Sequence, residues 1–186
     1  YKHVEISHMY SLGPGDYCKP EYKDNFHPNM WFLSGQTRKA CNEWGDYTSF
    51  FFHELPELMR NGRVVVDVAL IMVSKPDKHG YVSTGVSGDY TIQAIKSAKT
   101  VIAQVNENMP FTYGDAVFPL MEYADAIVEY DEELPALPAG KIGDVEEEIG
   151  KYCASLIQDG ATLQLGIGSI PDAVCEQLKT KKHLGL

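Results

Sequence analysis

The chain has 186 residues, 44% of them hydrophobic and 23% charged. That is enough for one ordinary domain with a real core, or for one domain and part of a second. No apolar run approaches the roughly 20 residues that cross a bilayer, which excludes a helical membrane span. The 26 acidic against 16 basic residues give a net charge of −10, which argues against a nucleic-acid partner, because that affinity rests on basic side chains displacing counterions.

In chain order, Val4 and Ile6 alternate with His3, Glu5 and Ser7, the period-two pattern of a strand with one buried face. His8 falls on the apolar side and is expected to be a hydrogen-bonded core histidine. Leu12 to Tyr17 and the Pro20 to Pro28 region carry turn chemistry and read as one long loop. Met30-Trp31-Phe32-Leu33 is a short apolar run, Ser34-Gly35 ends it, and Thr37 to Trp44 has a helical pattern. Tyr47 to Phe52 is aromatic and strand-like, and a short helix from about His53 to Arg60 stops at Asn61-Gly62. Val64 to Val73 is almost continuously apolar, as in a central parallel strand covered on both faces. Ser74 to Tyr81 reads as a polar loop. A helix over Asp89 to Ala98 buries Ile92 and Ile95, and strands follow at Thr100 to Val105 and Ala126 to Glu129.

Strands alternating with helices at these spacings predict an α/β fold: an open, mostly parallel sheet with flanking helices. This first domain is expected over residues 1–135; Glu132 to Gly140 is acidic and contains two prolines, and a linker is expected over 136–143. Residues 144–186 then read as the start of a second, similar domain, its first βα unit. Asp144 is the expected N-cap with Glu147 three residues on, and Val145, Ile149, Cys153, Leu156 and Ile157 form the expected packed stripe. Gly160 closes that helix, Thr162 to Leu165 is the expected strand, and Pro171 sits in the first turn of the next helix. The immediate strand pattern after Tyr1 and the stop at Leu186 suggest a start inside a fold, lacking its first strand, and a truncated second domain. Edges and apolar faces left open in that way would make the isolated chain self-associate. The cysteines Cys18, Cys41, Cys153 and Cys175 form no CxxC pair and no signal-peptide pattern precedes them, which fits a reduced, cytoplasmic setting.

The segment richest in chemistry is Gly166-Ile167-Gly168-Ser169-Ile170-Pro171-Asp172, a glycine turn between an expected strand and a helix start. Free backbone N–H groups and the helix dipole there suit an anion or a developing oxyanion. The same spacing also fits a plain strand-to-helix connection. A dinucleotide fingerprint is a third option, against which Pro171 stands in place of the third glycine. Gln36, His53 and His79 lie in loops after strand-like segments, where open parallel sheets place ligands. Each also has a structural reading: Gln36 as a helix start, His53 beside Glu54 as a satisfied structural residue, His79-Gly80 as a turn. His53-Glu54 lacks the second histidine of a zinc-protease motif, since Glu57 stands four residues on. Ser74 and Ser169 lack a GxSxG context. No metal site is expected.

The run TLQLGIGSIPDAV from Thr162 to Val174 closely resembles a segment of the 4-hydroxybutyrate and butyrate:acetate CoA-transferases, in the acetyl-CoA hydrolase/transferase family. Tyr17-Cys18-Lys19-Pro20-Glu21, Ser34 to Ala40, Pro76 to Tyr81 and Ile102 to Asn106 also resemble stretches of those enzymes, in the same order along the chain. The resemblance implies a two-domain α/β enzyme that exchanges CoA between a short acyl-CoA and a small carboxylate such as acetate. It works by ping-pong chemistry through a glutamyl-CoA thioester. An acyl-CoA hydrolase, or a non-catalytic CoA-binding fragment, are the alternatives. In the family the glutamate lies downstream of the glycine turn, so no residue of this chain is assigned a catalytic role. The resemblance further implies CoA as a substrate, no tightly bound cofactor, a homo-oligomer, and Gly166, Ile167 and Gly168 lying against the thioester. A net charge of −10 works against the phosphates of CoA, so backbone donors or a local basic patch are required. Lys179, Lys181 and Lys182 are candidates for that patch, although they also suit a solvated helix end.

Overall fold

The computed structural model describes residues 1–136 and 140–185. Residues 137–139 of the expected linker lie outside the described residues, as does Leu186. Two compact units are present, Tyr1–Pro135 and Ala136–Leu186.

The first unit opens with three short parallel strands, β1 (Val4–Ile6), β2 (Phe26–Met30) and β3 (Asp46–Tyr47), in the spatial order β1-β2-β3. β2 uses Phe26 to Pro28 to pair with β1 and Asn29 to Met30 to pair with β3. Pro28 therefore sits where one ladder ends and the next begins, a place where its missing N–H does least harm, and its ring is fully buried. The loop expected through Pro28 thus contains the central strand. The apolar run starting at Met30 contributes only its first residue to that strand. The aromatic stretch expected as a strand from Tyr47 to Phe52 pairs through Asp46 and Tyr47 alone, and Phe51 and Phe52 stand exposed. Helices α1 (Arg38–Glu43) and α2 (Leu55–Arg60) follow.

The rest of the unit is β4 (Val68–Val73), β5 (Tyr81–Ser83), α3 (Thr91–Ser97), β6 (Thr100–Val105), β7 (Val117–Pro119), α4 (Leu120–Tyr123) and β8 (Ala126–Glu129). β4, β6 and β8 form a parallel sheet in that order, with β6 pairing six residues with β4 and four with β8. β5 and β7 pair antiparallel, a small ribbon that the polar reading of Ser74 to Tyr81 did not anticipate. One face of the parallel sheet carries the main core: Ala69, Ile71, Val73, Val101, Ala103 and Val105 pack with Ile95, Phe118 and Leu120. Burying each such side chain contributes on the order of 1.5–3 kcal/mol for the larger ones. Fold class and parallel pairing are as the sequence implies, but β4 is not covered on both faces. Leu70 is 77% exposed and Val68 and Val128 are each 50% exposed, because these residues point to the face opposite the core.

In the second unit, α5 (Asp144–Leu156) packs on α6 (Ser169–Gln177). The cap lies one residue before the expected Asp144: Glu146 accepts the Gly143 N–H at 3.1 Å, a carboxylate near the helix N-terminus. The packed stripe also differs, since Val145 and Leu156 are 70% and 84% exposed. Gly150 and Ala154 are buried instead, with Cys153 and Ile157 half-buried beside them. Small residues win that face because α6 comes too close for large ones. The strand expected over Thr162 to Leu165 reduces to a single parallel bridge, Thr162 to Gly185, since one neighbouring stretch supplies few partners. Among the described residues no helix is long and apolar enough to cross a membrane.

A Cβ at Gly150 would stand 2.6 Å from the Ala173 carbonyl oxygen and 2.9 Å from its carbon. Ala in a helix interior gains about 1 kcal/mol over Gly, but a clash with helix backbone costs about 1–3 kcal/mol because neither helix can yield locally. Gly150→Ala is therefore expected to destabilise α5, read as faster amide exchange across Asp144–Leu156. Equal or slower exchange would show that the helices have room to part.

Candidate functional site

The glycine turn leads into α6 through Gly168, whose φ of 134° and ψ of 176° belong to a region that is essentially glycine's alone. Asp172 N–H donates to the Gly168 carbonyl at 3.1 Å and closes the first turn. Among the described residues, the amides of Gly166, Ile167, Gly168, Ser169 and Ile170 donate to no protein acceptor. Helix geometry leaves such first-turn donors free. Gly166 and Ile167 are exposed, Ile167 at 95%. Among the described residues the turn thus offers a row of unspent donors at the positive end of a nine-residue helix. Asp172 in that first turn partly offsets the dipole. The turn reading is as expected, and the third-glycine position of a dinucleotide loop is occupied by Pro171, whose ring would stand 3.7 Å from a β-carbon placed on Gly166.

The lysines do not belong to this turn. Lys179 pairs with Glu176, and Lys181 and Lys182 follow it beyond the end of α6. At a rise of about 1.5 Å per residue, a nine-residue helix sets them roughly 13 Å away, where they complement the negative end.

Gln36, His53 and His79 all fall in the first unit, on three different strand exits. Gln36 follows β2 in a turn fixed by two buried hydroxyl residues: Thr37 Oγ1 accepts the Ser34 N–H at 3.0 Å, and Arg38 N–H donates to the Ser34 carbonyl at 3.2 Å. The Gln36 side chain is exposed and lies against Gly15, whose φ is 68°. His53 is exposed in the Phe52–Glu54 turn and stacks on Phe51, with ring centroids 5.8 Å apart. His79 is exposed in the β4–β5 connection. There Asp77 Oδ1 accepts the N–H groups of Tyr81 and His79 at 2.9 and 2.8 Å, which holds the Asp77 carboxyl below its ordinary value. That arrangement accounts for the backbone of the His79-Gly80 turn, and no hydrogen bond among the described residues joins His79 to Gln36 or His53. His8 is hydrogen-bonded as expected but half-buried and just past β1 rather than in the core, with Nε2 accepting from the Tyr17 hydroxyl and Nδ1 donating to the Met9 carbonyl at 3.3 Å. It ties down the loop that carries Gly15 beside Gln36.

An open cleft of about 580 Å³ between α2, α3 and the β7 approach was not foreseen. Arg60 and Lys96 line it, but so do Asp89 and Asp115, and Arg60 is already engaged by Glu57 at 2.9 Å and Gln93 at 3.2 Å. This balance gives no advantage to a polyanion such as a nucleotide phosphate. Among the described residues no group of three or more His, Cys, Asp or Glu is placed to hold a metal ion.

Gly168→Ala forces a β-carbon into this backbone region and is expected to cost about 1–3 kcal/mol, read as a lower urea midpoint with faster exchange at the start of α6. An unchanged midpoint would mean that the turn relaxes freely. Burial pushes the His8 imidazole below its ordinary value of 6.5, against a smaller opposing effect of the Met9 carbonyl. The unfolded chain then binds the proton more readily, so this stability is intact above about pH 6.5 and falls as the pH drops through the lowered folded value. His8→Gln, which keeps an acceptor for Tyr17, is expected to flatten the loss of melting temperature between neutral pH and pH about 5. An unaltered slope would assign the acid sensitivity elsewhere.

Residues 1–138 match the model of the acetyl-CoA hydrolase/transferase N-terminal domain. The whole chain is 54% identical over 187 aligned positions to the 4-hydroxybutyrate coenzyme A transferase of Clostridium kluyveri and covers 43% of it. Over 98% of the chain it is 42% identical to the succinyl-CoA:cyclohexane-1-carboxylate CoA transferase of Geobacter metallireducens, covering 41% of that protein. A solved structure, the 4-hydroxybutyrate CoA-transferase of Porphyromonas gingivalis, superposes over 100% of the chain and 42% of its own length with a TM-score of 0.82 at 39% identity. The chain thus spans less than half the length of these relatives. A match over most of its residues, in the order in which its strands and helices occur, makes it a member of the acetyl-CoA hydrolase/transferase family.

Proposed function

We propose that the protein containing this chain is a CoA-transferase that moves CoA between a short acyl-CoA and a small carboxylate such as acetate. The observation that carries this reading is the 54% identity, sustained across all 186 residues, to a relative named 4-hydroxybutyrate coenzyme A transferase. The glycine turn supports it physically. Its free amides suit the oxygen of a thioester carbonyl, which gains negative charge as a nucleophile adds.

In the proposed chemistry, a glutamate carboxylate from outside these 186 residues attacks the thioester carbonyl and expels the CoA thiolate, leaving a mixed acyl-glutamyl anhydride. The thiolate then attacks the glutamyl carbonyl and releases the acyl group as its free carboxylate. An incoming carboxylate runs the two steps in reverse and leaves as the new acyl-CoA. Gly166, Ile167 and Gly168 would stabilise the oxyanions, with Gln36, His53 and His79 as candidate substrate contacts from the first unit. CoA is a substrate in this scheme and no tightly bound cofactor is needed. A cytoplasmic homo-oligomer is part of the proposal, in keeping with four free cysteines and with the apolar side chains exposed on the β4-β6-β8 sheet.

The full-length polypeptide treated with acyl-CoA and then borohydride is expected to carry one glutamate reduced to the alcohol, and to transfer CoA to acetate. No modified glutamate and no transfer would overturn the reading. CoA release that is equally fast with and without acetate would instead identify an acyl-CoA hydrolase, with water resolving the intermediate.

A further inference from the structure

The segment after β8 is held in an unusual way. Past Glu129 one backbone bond continues the pairing, from Tyr130 N–H to the Val105 carbonyl at 3.1 Å. From there side chains take over. Gln104 Nε2 donates to the Tyr130 carbonyl at 3.1 Å and to Glu132 Oε1 at 2.9 Å. Asn106 grips the Glu132 peptide at both ends: Nδ2 donates to the Glu132 carbonyl at 2.9 Å, and Oδ1 accepts the Glu132 N–H at 3.3 Å. Asn108 Nδ2 donates to the same carbonyl at 3.0 Å, and Glu107 N–H donates to Asp131 Oδ1 at 2.6 Å.

We infer that Gln104, Asn106 and Asn108 form a side-chain clasp that fixes the chain where it leaves the first unit's sheet, with Asn106 as its latch. Two features single out Asn106. Its side chain is fully buried, so its amide must find partners inside the protein or forfeit its hydration. It is also built into the end of the sheet, since its N–H donates to the Val73 carbonyl at 3.0 Å and its Oδ1 accepts the Asn108 N–H as well, also at 3.0 Å. A primary amide presents an N–H donor and a carbonyl acceptor side by side, the pair that the N–H and C=O of one residue answer here. Gln104 and Asn106 lie two residues apart at the extended end of β6, on one side of it, and the turn closed by Met109 N–H on the Asn106 carbonyl at 3.0 Å brings Asn108 to the same Glu132 carbonyl. Apart from the Gln104 bond to the Glu132 carboxylate, the clasp joins neutral amides to backbone groups, although Glu107, Glu129, Asp131, Glu132 and Glu133 crowd this end of the sheet. Neutral amides hold an acidic segment without the salt sensitivity of an exposed ion pair such as Lys75 with Glu107.

The test uses the full-length polypeptide that contains this chain, with hydrogen exchange across residues 130–133 and digestion by a glutamate-specific protease as readouts. Asn106→Leu preserves size and removes both bonds to Glu132. Exchange at the Glu132 amide and cleavage after Glu132 or Glu133 are each expected to rise about tenfold or more. The amides of β4 and β6 should remain protected, and high salt should leave the parental protection unaltered. Unchanged exchange and cleavage in a variant with intact sheet protection would overturn the clasp. If Asn106→Leu loses the sheet as well, the Gln104→Ala/Asn108→Ala double variant decides, since it leaves both Asn106 bonds in place. A rise of about threefold at Glu132 sustains the proposal, and no rise overturns it.

Discussion

The first unit depends on the pairing of β6 with the strands on either side of it. Six residues of β6 run in register with β4 and four with β8. Because side chains alternate between faces, that register places Val101, Ala103 and Val105 in line with Ala69, Ile71 and Val73 on a single buried face. A slip of one residue would turn that row outward and bring Thr100, Ile102 and Gln104 into the core. The register also decides where the sheet ends: Val73 and Val105 finish together, so Ser74 and Asn106 emerge side by side at the carboxyl ends of the strands. Buried polar residues gather just beyond. Ser74, Ser83 and Asn106 are each held by hydrogen bonds, with Ser83 Oγ accepting the Thr112 and Gly85 N–H groups at 3.1 and 3.0 Å.

What could be read from the sequence follows from how one-sided each signal is. Thr100 to Val105 and Ala126 to Glu129 were legible to the residue, because β-branched runs between turn residues have no competing helical period. β2 was not, because Pro28 normally marks a loop. Only the staggered use of the strand by its two neighbours makes room for it. In α5 a hydrophobic stripe was present in the sequence, yet the helix turns Gly150 and Ala154 to its partner. Hydrophobicity counts apolar area, whereas close helix packing selects for absent side chains, and the pattern does not announce which criterion governs. The β4 face failed for a related reason: a continuous apolar run promises two covered faces but does not state what covers them.

The site was legible in the same partial way. Gly166 to Gly168 could be recognised as a turn at a helix start, and the unusual backbone of Gly168 explains why glycine stands there. Gln36, His53 and His79 were recognisable as polar residues at strand exits. Their neighbours, such as Gly15 beside Gln36 and Phe51 beside His53, come from folding and from local rotamers that no spacing rule encodes. The amides of Gln104, Asn106 and Asn108 attracted no functional reading, because an Asn near a strand end is ordinarily a turn residue. Its partner, Glu132, is distant in sequence.

A net charge of −10 also bears on how a CoA thioester can be held. A helix N-terminus supplies roughly half a unit of positive charge. At 4 Å, two unit charges attract by about 1 kcal/mol in water and about 4 kcal/mol at the effective dielectric near a protein surface, so half a charge earns half of each. With Ile167 fully out in solvent, the bare turn works near the lower figure. Long-range repulsion from the acidic surface, already screened beyond about 8–10 Å at physiological salt, is of comparable size. In the proposed reaction the turn would act as an oxyanion site once water is displaced from it, because the short-range amide contacts then strengthen severalfold while the distant acidic charges stay screened. Recognition by backbone donors at a covered turn is thus compatible with an acidic protein, and a surface lysine patch is not required for it.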